Sequence, residues 1–153
     1  MTVTIGKKVT DFQAACTGEP FKLSAHKGKN VVLYFYPKDS TPGCTTEGGD
    51  FRDAQKGLAK ANTVVFGISR DSMKSHENFK TKQEYNFELI SDPDEAVCTL
   101  FDVMKMKNMY GKQVRGVERS TFVISADGKL VKEWRGVKVA GHVEEVLAYV
   151  QSL

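Results

Sequence analysis

The sequence predicts an α/β protein with a central mixed β-sheet flanked by helices and a β-hairpin at the N-terminus. Three observations support this fold class. Residues 31–36 form a nearly continuous run of β-branched and aromatic residues, which is typical of a strand buried in the middle of a sheet. Strand-like and helix-like segments alternate through the middle of the chain, as in sheets that are covered by helices. Turn residues at 17–20 and 126–129 indicate a hairpin near each end.

Seven strands are predicted from short apolar runs that end at turn residues. In chain order they cover residues 11–15, 21–23, 31–36, 64–69, 87–90, 120–125 and 130–135. The first two flank the turn Thr17-Gly18-Glu19-Pro20, which predicts the opening hairpin. Asp127-Gly128 between the last two strands is a strong hairpin signal, because both residues tolerate the backbone of a tight turn.

The helices are predicted from their start signals and their periodicity. Thr41 is a good N-cap and Pro42 suits the first helical position, so a helix begins there and continues to about Ala61. Further helices are predicted over residues 72–85, over a short segment that ends at Leu100, and over residues 141–150. Residues 103–115 are rich in Lys, Met and Gly and have no clean period, so we expect a surface loop.

Composition indicates an ordinary globular protein. The chain has 153 residues, of which 41% are hydrophobic and 27% charged, and we expect one domain over residues 1–153. The net charge of +3 is mild and the lysines are spread along the chain, so we expect no nucleic-acid partner. No stretch approaches the roughly 20 apolar residues of a membrane span. Three cysteines without a C-x-x-C pair disfavour a zinc site or a disulfide scaffold and suit a cytoplasmic protein.

Cys44 is the strongest candidate for a catalytic residue. It stands in the first turn of the helix predicted to begin at Thr41, where unpaired N–H groups and the helix dipole favour an anion. The thiolate is such an anion, and it is the reactive form of cysteine. The hydroxyl of Thr41 can come close to the sulfur. The alternative is a cysteine that simply packs at a helix start.

The segment around Cys44 resembles the signature of a known family. Pro37-x-x-x-Thr41-x-x-Cys44 is similar to the active-site motif of the peroxiredoxins, thiol enzymes that reduce hydroperoxides. The fuller string Tyr34-Phe35-Tyr36-Pro37-Lys38-Asp39-Ser40-Thr41-Pro42-Gly43-Cys44-Thr45 is similar to the bacterioferritin comigratory protein branch, also called peroxiredoxin Q. A second block, residues 108–113 followed by Gly116-Val117-Glu118-Arg119-Ser120-Thr121-Phe122, resembles the same branch. The resemblance covers nearly the whole chain and implies a thioredoxin-like fold.

The resemblance also implies a function and a set of roles. It implies a thiol-dependent peroxidase for hydrogen peroxide and organic hydroperoxides, in which Cys44 is the peroxidatic cysteine and cycles through a sulfenic acid. By the same motifs, Thr41 orients the peroxide, Pro37 shields the pocket and Arg119 projects from a strand end toward the Cys44 helix. Thioredoxin or another thiol is the implied reductant, with no cofactor, and we expect a monomer or a weak dimer. The alternative function is a non-catalytic thioredoxin-like redox sensor or interaction module.

The chain departs from its relatives where a second cysteine resolves the sulfenic acid. The two usual resolving positions of this branch carry Gly49, five residues after Cys44, and Lys80 on the following helix. Cys98 is a candidate for this role, although a core position suits it better, and Cys16 is expected on the surface of the opening hairpin. We therefore expect a one-cysteine cycle in which an external thiol attacks the sulfenic acid.

Two further features have open interpretations. Gly48-Gly49 weakens the helix just after Cys44, either to ease local unwinding or to allow close packing against a neighbouring strand. His26, His76 and His142 are scattered along the sequence, and we expect them on the surface.

Overall fold

The computed structural model describes residues 2–153 and contains the predicted mixed sheet. Seven strands are ordered β2-β1-β5-β4-β3-β8-β9 across this sheet, and β6 and β7 form a separate two-stranded sheet. The central strands β3, β4 and β5 are parallel, and every other neighbouring pair is antiparallel. The strands are β1 (Gln13–Cys16), β2 (Phe21–Lys22), β3 (Asn30–Phe35), β4 (Thr63–Ser69), β5 (Glu88–Ser91), β6 (Met104–Met109), β7 (Lys112–Val117), β8 (Ser120–Ile124) and β9 (Leu130–Arg135).

Alternation along the central strand β3 creates two cores, one on each face of the sheet. Its side chains at 31, 33 and 35 join one buried cluster, and those at 32 and 34 join the other, because successive residues of a strand point to opposite faces. The second cluster also takes in residues from four α-helices. The helices are α1 (Pro42–Asp53), α2 (Gln55–Lys60), α3 (Met73–Gln83), α4 (Ala96–Leu100) and α5 (His142–Gln151), with a 3₁₀ turn at Leu23–His26.

The opening hairpin is present, as predicted, and is joined to the main sheet. Ala14 pairs with Phe21 across the hairpin, and Cys16 pairs with Ile90 of β5. The side chains of Cys16 and Phe21 are buried in the first of the two cores. The hairpin therefore extends the sheet and covers part of the core at that edge.

The long helix predicted from Thr41 to Ala61 is interrupted at Ala54, so that prediction was wrong in its length. Ala54 has φ −91° and ψ 0°, which is outside helical geometry, and it separates α1 from α2. The side-chain amide of Gln55 donates to the carbonyl oxygen of Phe51 at 3.1 Å. In a continuous helix the backbone N–H of Gln55 would bind that oxygen.

Residues 103–115 form most of a β-hairpin rather than the predicted loop. Strands β6 and β7 pair from Met104↔Val117 to Met109↔Lys112. Tyr110 and Gly111 have φ values of 54° and 81°, and two positive φ values are typical of a tight two-residue hairpin turn. The strands escaped detection because both of their faces are largely exposed, and the Met–Lys alternation at residues 104–107 is short and is not matched in β7. The hairpin leads directly into Arg119.

None of the helices formed by residues 2–153 is both long and apolar enough to cross a membrane.

Candidate active site

The end of strand β3 and the start of helix α1 place Cys44. After Tyr36 the chain turns, Thr41 takes the N-cap position and Pro42 begins the helix, as the sequence predicts. Cys44 is therefore the third residue of a twelve-residue helix, at the end where backbone N–H groups have no acceptor within the helix. Its side chain is buried, with 2% exposure, and packs in the second core.

Arg119 lies against the sulfur of Cys44, as expected from its position ahead of strand β8. Its Nη2 donates to Cys44 Sγ at 3.4 Å. Gly43 permits this approach, since a Cβ at that position would stand 3.3 Å from the same nitrogen. Burial alone would lower the pKa of Arg119, but the negative charges of Glu47 and Cys44 raise it. The guanidinium therefore remains charged beside the sulfur of Cys44.

Glu47 completes the charged part of the site, and sequence reasoning missed it. Arg119 Nη1 donates to Glu47 Oε1 at 2.5 Å, and the glutamate side chain is fully buried. Its second carboxylate oxygen has no hydrogen-bond partner among the described residues. Burial raises the pKa of Glu47 to about 7, against the opposing effect of Arg119. Glu47 follows Cys44 by three residues on α1, and that helical spacing was the signal that could have revealed it.

Thr41 and Pro37 lie on the segment that joins β3 to α1. The Thr41 hydroxyl donates to the carbonyl oxygen of Lys38 at 2.8 Å. This bond, rather than a bond to the sulfur of Cys44, is the one that the structure shows for the hydroxyl. Because a hydroxyl has one hydrogen and two lone pairs, Thr41 keeps the capacity to accept a hydrogen bond from another group. Pro37 is half-buried at the start of the same segment.

The other two cysteines lie on the opposite side of the sheet from Cys44. Cys16 and Cys98 belong to the first core, whereas Cys44 belongs to the second. The expectation of a surface position for Cys16 was wrong, because its side chain is buried under the edge of the sheet with 5% exposure. Burial raises the pKa of Cys16 to about 12, and burial together with Asp92 raises the pKa of Cys98 further above its ordinary value.

Two histidines expected on the surface are buried, so those predictions were wrong. His142 bonds to the hydroxyl of Thr121 at 2.7 Å, and burial lowers its pKa. His76 has no exposure, and its Nδ1 lies 2.7 Å from the carboxylate of Asp39. His26 is half-buried, its ring stacked on Phe21 at 5.4 Å between centroids. A lone histidine in a sequence carries no periodic signal of burial, although His76 shares the buried face of α3 with Phe79.

Asp39, Asp71 and His76 also form the one group of acidic and histidine side chains, within residues 2–153, whose ligand atoms lie close enough together to hold a metal ion. Those atoms are within 4.8 Å of one another. The side chains of Asp39 and His76 bond to each other, and the Asp71 carboxylate accepts the backbone N–H of Asp39. We therefore describe this group as a hydrogen-bonded cluster that anchors the segment before Cys44.

The two adjacent glycines of α1 have different surroundings. A Cβ on Gly48 would overlap the side chain of Tyr85, with its Cε2 only 2.8 Å away. The hydroxyl of Tyr85 donates to the carbonyl oxygen of Thr45 at 3.0 Å, so the ring lies directly on the first turns of α1. A Cβ on Gly49 would meet only Arg52, at an ordinary 3.6 Å. Gly48 thus permits close packing, against a side chain that follows α3 rather than against a strand.

A guanidinium held against a buried thiol at a helix start is the arrangement of an enzyme that uses cysteine as a nucleophile. The mixed sheet with helices on its faces is that of the thioredoxin-like proteins. The sequence matches the AhpC/TSA family over residues 5–133, and the chain belongs to that family. Curated relatives and solved structures that are similar to this chain confirm the thioredoxin-like fold, the resemblance to peroxiredoxin Q and the class of thiol-dependent peroxidase. They do not favour a non-catalytic module.

Individual relatives are similar over most of their length. The chain is 57% identical to the Peroxiredoxin Bcp of Xanthomonas campestris, over 88% of this chain and 84% of that protein. It is 47% identical to the Peroxiredoxin Bcp of Bacillus subtilis, over 100% of this chain and 98% of that protein. A solved cysteine-to-serine mutant of PrxQ from Xylella fastidiosa superposes with a TM-score of 0.93 at 42% identity, over 99% and 98%. A solved structure addressing alkyl peroxide reduction by the Xanthomonas campestris protein superposes with a TM-score of 0.88 at 54% identity, over 92% of this chain and 90% of that chain.

Proposed function

We propose that Cys44 is the peroxidatic cysteine of this peroxidase and that Arg119 assists it directly. The observation that carries the proposal is the 3.4 Å contact between Arg119 Nη2 and Cys44 Sγ at the start of α1. The thiolate donates an electron pair to one peroxide oxygen, so an S–O bond forms as the O–O bond breaks. Cys44 becomes a sulfenic acid, and the other oxygen leaves, takes up a proton and becomes water or an alcohol. Arg119 stabilises negative charge on both the sulfur and the leaving oxygen.

Thr41 and Pro37 complete the proposed site. With its hydrogen bonded to the Lys38 carbonyl, the Thr41 hydroxyl is free to accept a hydrogen bond from the O–H of a hydroperoxide. That bond orients the hydroxyl-bearing oxygen of the substrate toward Cys44. Pro37, half-buried beside the segment, limits the access of water. The substrates are hydrogen peroxide and small organic hydroperoxides, in line with the alkyl peroxide reduction named for the Xanthomonas campestris protein.

We further propose that an external thiol recycles Cys44. The usual resolving positions carry Gly49 and Lys80. The Nζ of Lys80 forms an ion pair with Oε1 of Glu88 at 3.2 Å. Cys16 and Cys98 are buried in the core on the other face of the sheet, so a disulfide with Cys44 would require a large rearrangement. Thioredoxin, or a glutathione and glutaredoxin system, is the proposed reductant, in a cytoplasm that keeps the three free cysteines reduced.

We propose a monomer or a weak dimer in solution. Of the large apolar side chains exposed among residues 2–153, four belong to the β6–β7 hairpin, namely Met106, Met109, Tyr110 and Val114. Ile5 and Leu153 are the other two. Such a distribution leaves the rest of the described surface without an extended apolar face of the kind that obligate dimers bury. Sedimentation across a range of concentrations measures the state directly, and a concentration-independent dimer would contradict the proposal.

The proposed cycle is tested with three serine variants and intact mass. Cys44→Ser should lose turnover with peroxide and a supplied thiol while remaining folded, and Cys16→Ser and Cys98→Ser should keep nearly full turnover as matched controls. After one equivalent of peroxide the wild type should gain about 16 mass units as the sulfenic acid. A loss of about two mass units with a Cys44–Cys98 peptide, and lost turnover in Cys98→Ser, would show an internal disulfide instead.

A further inference from the structure

The peptide group between Lys38 and Asp39 connects Thr41 to a carboxylate outside the proposed site. The N–H of this peptide, on Asp39, donates to Asp71 Oδ2 at 2.9 Å. The C=O of the same peptide, on Lys38, accepts the hydroxyl of Thr41 at 2.8 Å. Because a peptide group is planar and its N–H and C=O are rigidly coupled, a partner that fixes one of them also fixes the direction of the other.

Asp71 is itself held in place. Its side chain accepts a hydrogen bond from the Ser69 hydroxyl at the end of β4, and its carbonyl oxygen accepts one from Ser91 at the end of β5, at 2.6 Å. The two central strands of the sheet therefore position the carboxylate. A chain of hydrogen bonds leads from this rigid scaffold through the 38–39 peptide to the hydroxyl of Thr41. Polarisation of the peptide by the carboxylate also strengthens the Lys38 carbonyl as an acceptor.

The side chain of Asp39 anchors the same peptide on its other side. Its Oδ2 lies 2.7 Å from His76 Nδ1 and accepts the hydroxyl of Ser75 at 2.8 Å, while its Oδ1 accepts the hydroxyl of Tyr36 at 2.6 Å. His76 in turn donates from Nε2 to the backbone carbonyl of Ile90 at 2.9 Å. These partners come from the end of β3, from α3 and from β5. The segment is thus tied to three separate elements.

The backbone next to this peptide adopts a conformation that needs such support. Ser40 has a φ of 63°, in the left-handed region that residues with a side chain rarely occupy. It stands between the anchored Asp39 and Thr41. Residues held in this region persist where the surrounding structure over-determines them, and they are frequent in active sites.

We propose that Asp71 is a positioning residue for peroxide reduction, because through the 38–39 peptide it directs the Thr41 hydroxyl that receives the substrate. The proposal rests on the role assigned to Thr41 under the proposed function. Asp71 touches neither the substrate nor the sulfur. Its loss would leave Cys44 and Arg119 in place, and it would release the Ser69 hydroxyl and the peptide that commits the hydrogen of Thr41 to Lys38. The reaction with peroxide is therefore sensitive to Asp71, whereas the ionisation of Cys44 is not.

The experiment compares two reactions of the same thiol. The rate at which one equivalent of hydrogen peroxide oxidises Cys44 depends on the fraction of thiolate and on the orientation of the substrate. The rate of alkylation by iodoacetamide across a pH range depends on the fraction of thiolate alone. Asp71→Ala should slow oxidation about tenfold, within the loss of up to a hundredfold that a displaced group causes, and should leave the alkylation profile unchanged. Asp71→Asn, which keeps an acceptor oxygen, should restore most of the rate.

Controls separate positioning from a general loss of structure. Asn30→Ala removes a buried side chain that bonds Ala126 and Ala61 at the opposite end of β3, and it should leave both reactions unchanged. Asp71→Ser, too short to reach the Asp39 N–H, serves as a second variant if Asp71→Ala does not fold. In a Thr41→Val background, Asp71→Ala should cause no further loss, since the group through which it acts is gone.

Three results would overturn the inference: an unchanged oxidation rate in Asp71→Ala, an equal loss in oxidation and alkylation, or an additional loss in the Thr41→Val background. A slow Thr41→Val beside a fast Asp71→Ala would defeat this inference and leave the proposed function intact. A Thr41→Val variant with the wild-type rate would instead remove the proposed role of Thr41, and the inference with it.

Discussion

Replacing Gly48 by alanine should lower the free energy of unfolding, whereas replacing the neighbouring Gly49 by alanine should raise it. In Gly48→Ala the new Cβ overlaps the ring and hydroxyl of Tyr85, and a core that is overfilled by one carbon is destabilised by about 1–3 kcal/mol. Displacement of the ring also breaks the 3.0 Å bond from Tyr85 to the Thr45 carbonyl, which contributes about 1 kcal/mol. Against these losses stands a gain in helix propensity of about 1 kcal/mol. The net loss is about 1–3 kcal/mol.

Gly49→Ala is the matched control, with the same chemical change one position along the same helix. Its Cβ meets only the flexible Arg52 side chain at 3.6 Å, so the propensity gain remains and the variant should be more stable by about 0.5–1 kcal/mol. Equilibrium denaturation by urea, monitored by circular dichroism, measures both free energies of unfolding. If Gly48→Ala were stabilised as much as Gly49→Ala, the packing argument would be refuted, and the alternative that Gly48 eases unwinding of α1 would stand.

The remaining predictions concern the buried charge pair. Burial raises the pKa of Glu47 from 4.5 to about 7, so the folded protein binds this proton more tightly than the unfolded chain does. The stability that the bound proton contributes is therefore present below pH 4.5 and is lost as the pH rises through 7. At about 1.4 kcal/mol for each pH unit, wild type should lose roughly 3 kcal/mol relative to Glu47→Gln over that interval, and parallel stability curves would contradict this. Arg119→Met should slow oxidation of Cys44 and lower the free energy of unfolding at pH 8 by about 1–3 kcal/mol, because Glu47 is left without its cation. Adding Glu47→Gln should restore the stability but not the rate; a double variant that regained the rate would show that Arg119 acts only by pairing with Glu47.

The elements that the sequence predicted well are those in which local preference and burial agree. Strand β3 is apolar from Val31 to Phe35 and buried on both faces, and Thr41-Pro42 fixes the start of α1 by side-chain chemistry alone. The β6–β7 hairpin lacked such agreement, because its strands are mostly exposed or half-buried and are held together by pairing and by a Tyr110-Gly111 turn.

The same distinction applies to the site. Cys44 and Arg119 could be located from motifs, and the structure brings them together. The roles of Asp39 and Asp71 could not be predicted, since acidic residues are common on surfaces. Its helical spacing from Cys44 was a signal for Glu47, but only the tertiary fold shows that Glu47 is buried. The interruption at Ala54 was equally hidden, because alanine is an excellent helix former and only the structure shows the side-chain bond of Gln55 that accompanies the break.

The separation of the three thiols by the sheet has a consequence for measuring how the molecule opens. Cys44 reports on movements of α1, whereas Cys16 and Cys98 lie in the opposite layer and react with a thiol reagent only when that layer opens. Mass spectrometry distinguishes the three peptides after a single exposure to a maleimide. The labelling rate of Cys44 and the labelling rates of Cys16 and Cys98 thus report separately on the two layers, without any engineered probe. Their ratio compares the free energies of opening of the two layers under native conditions.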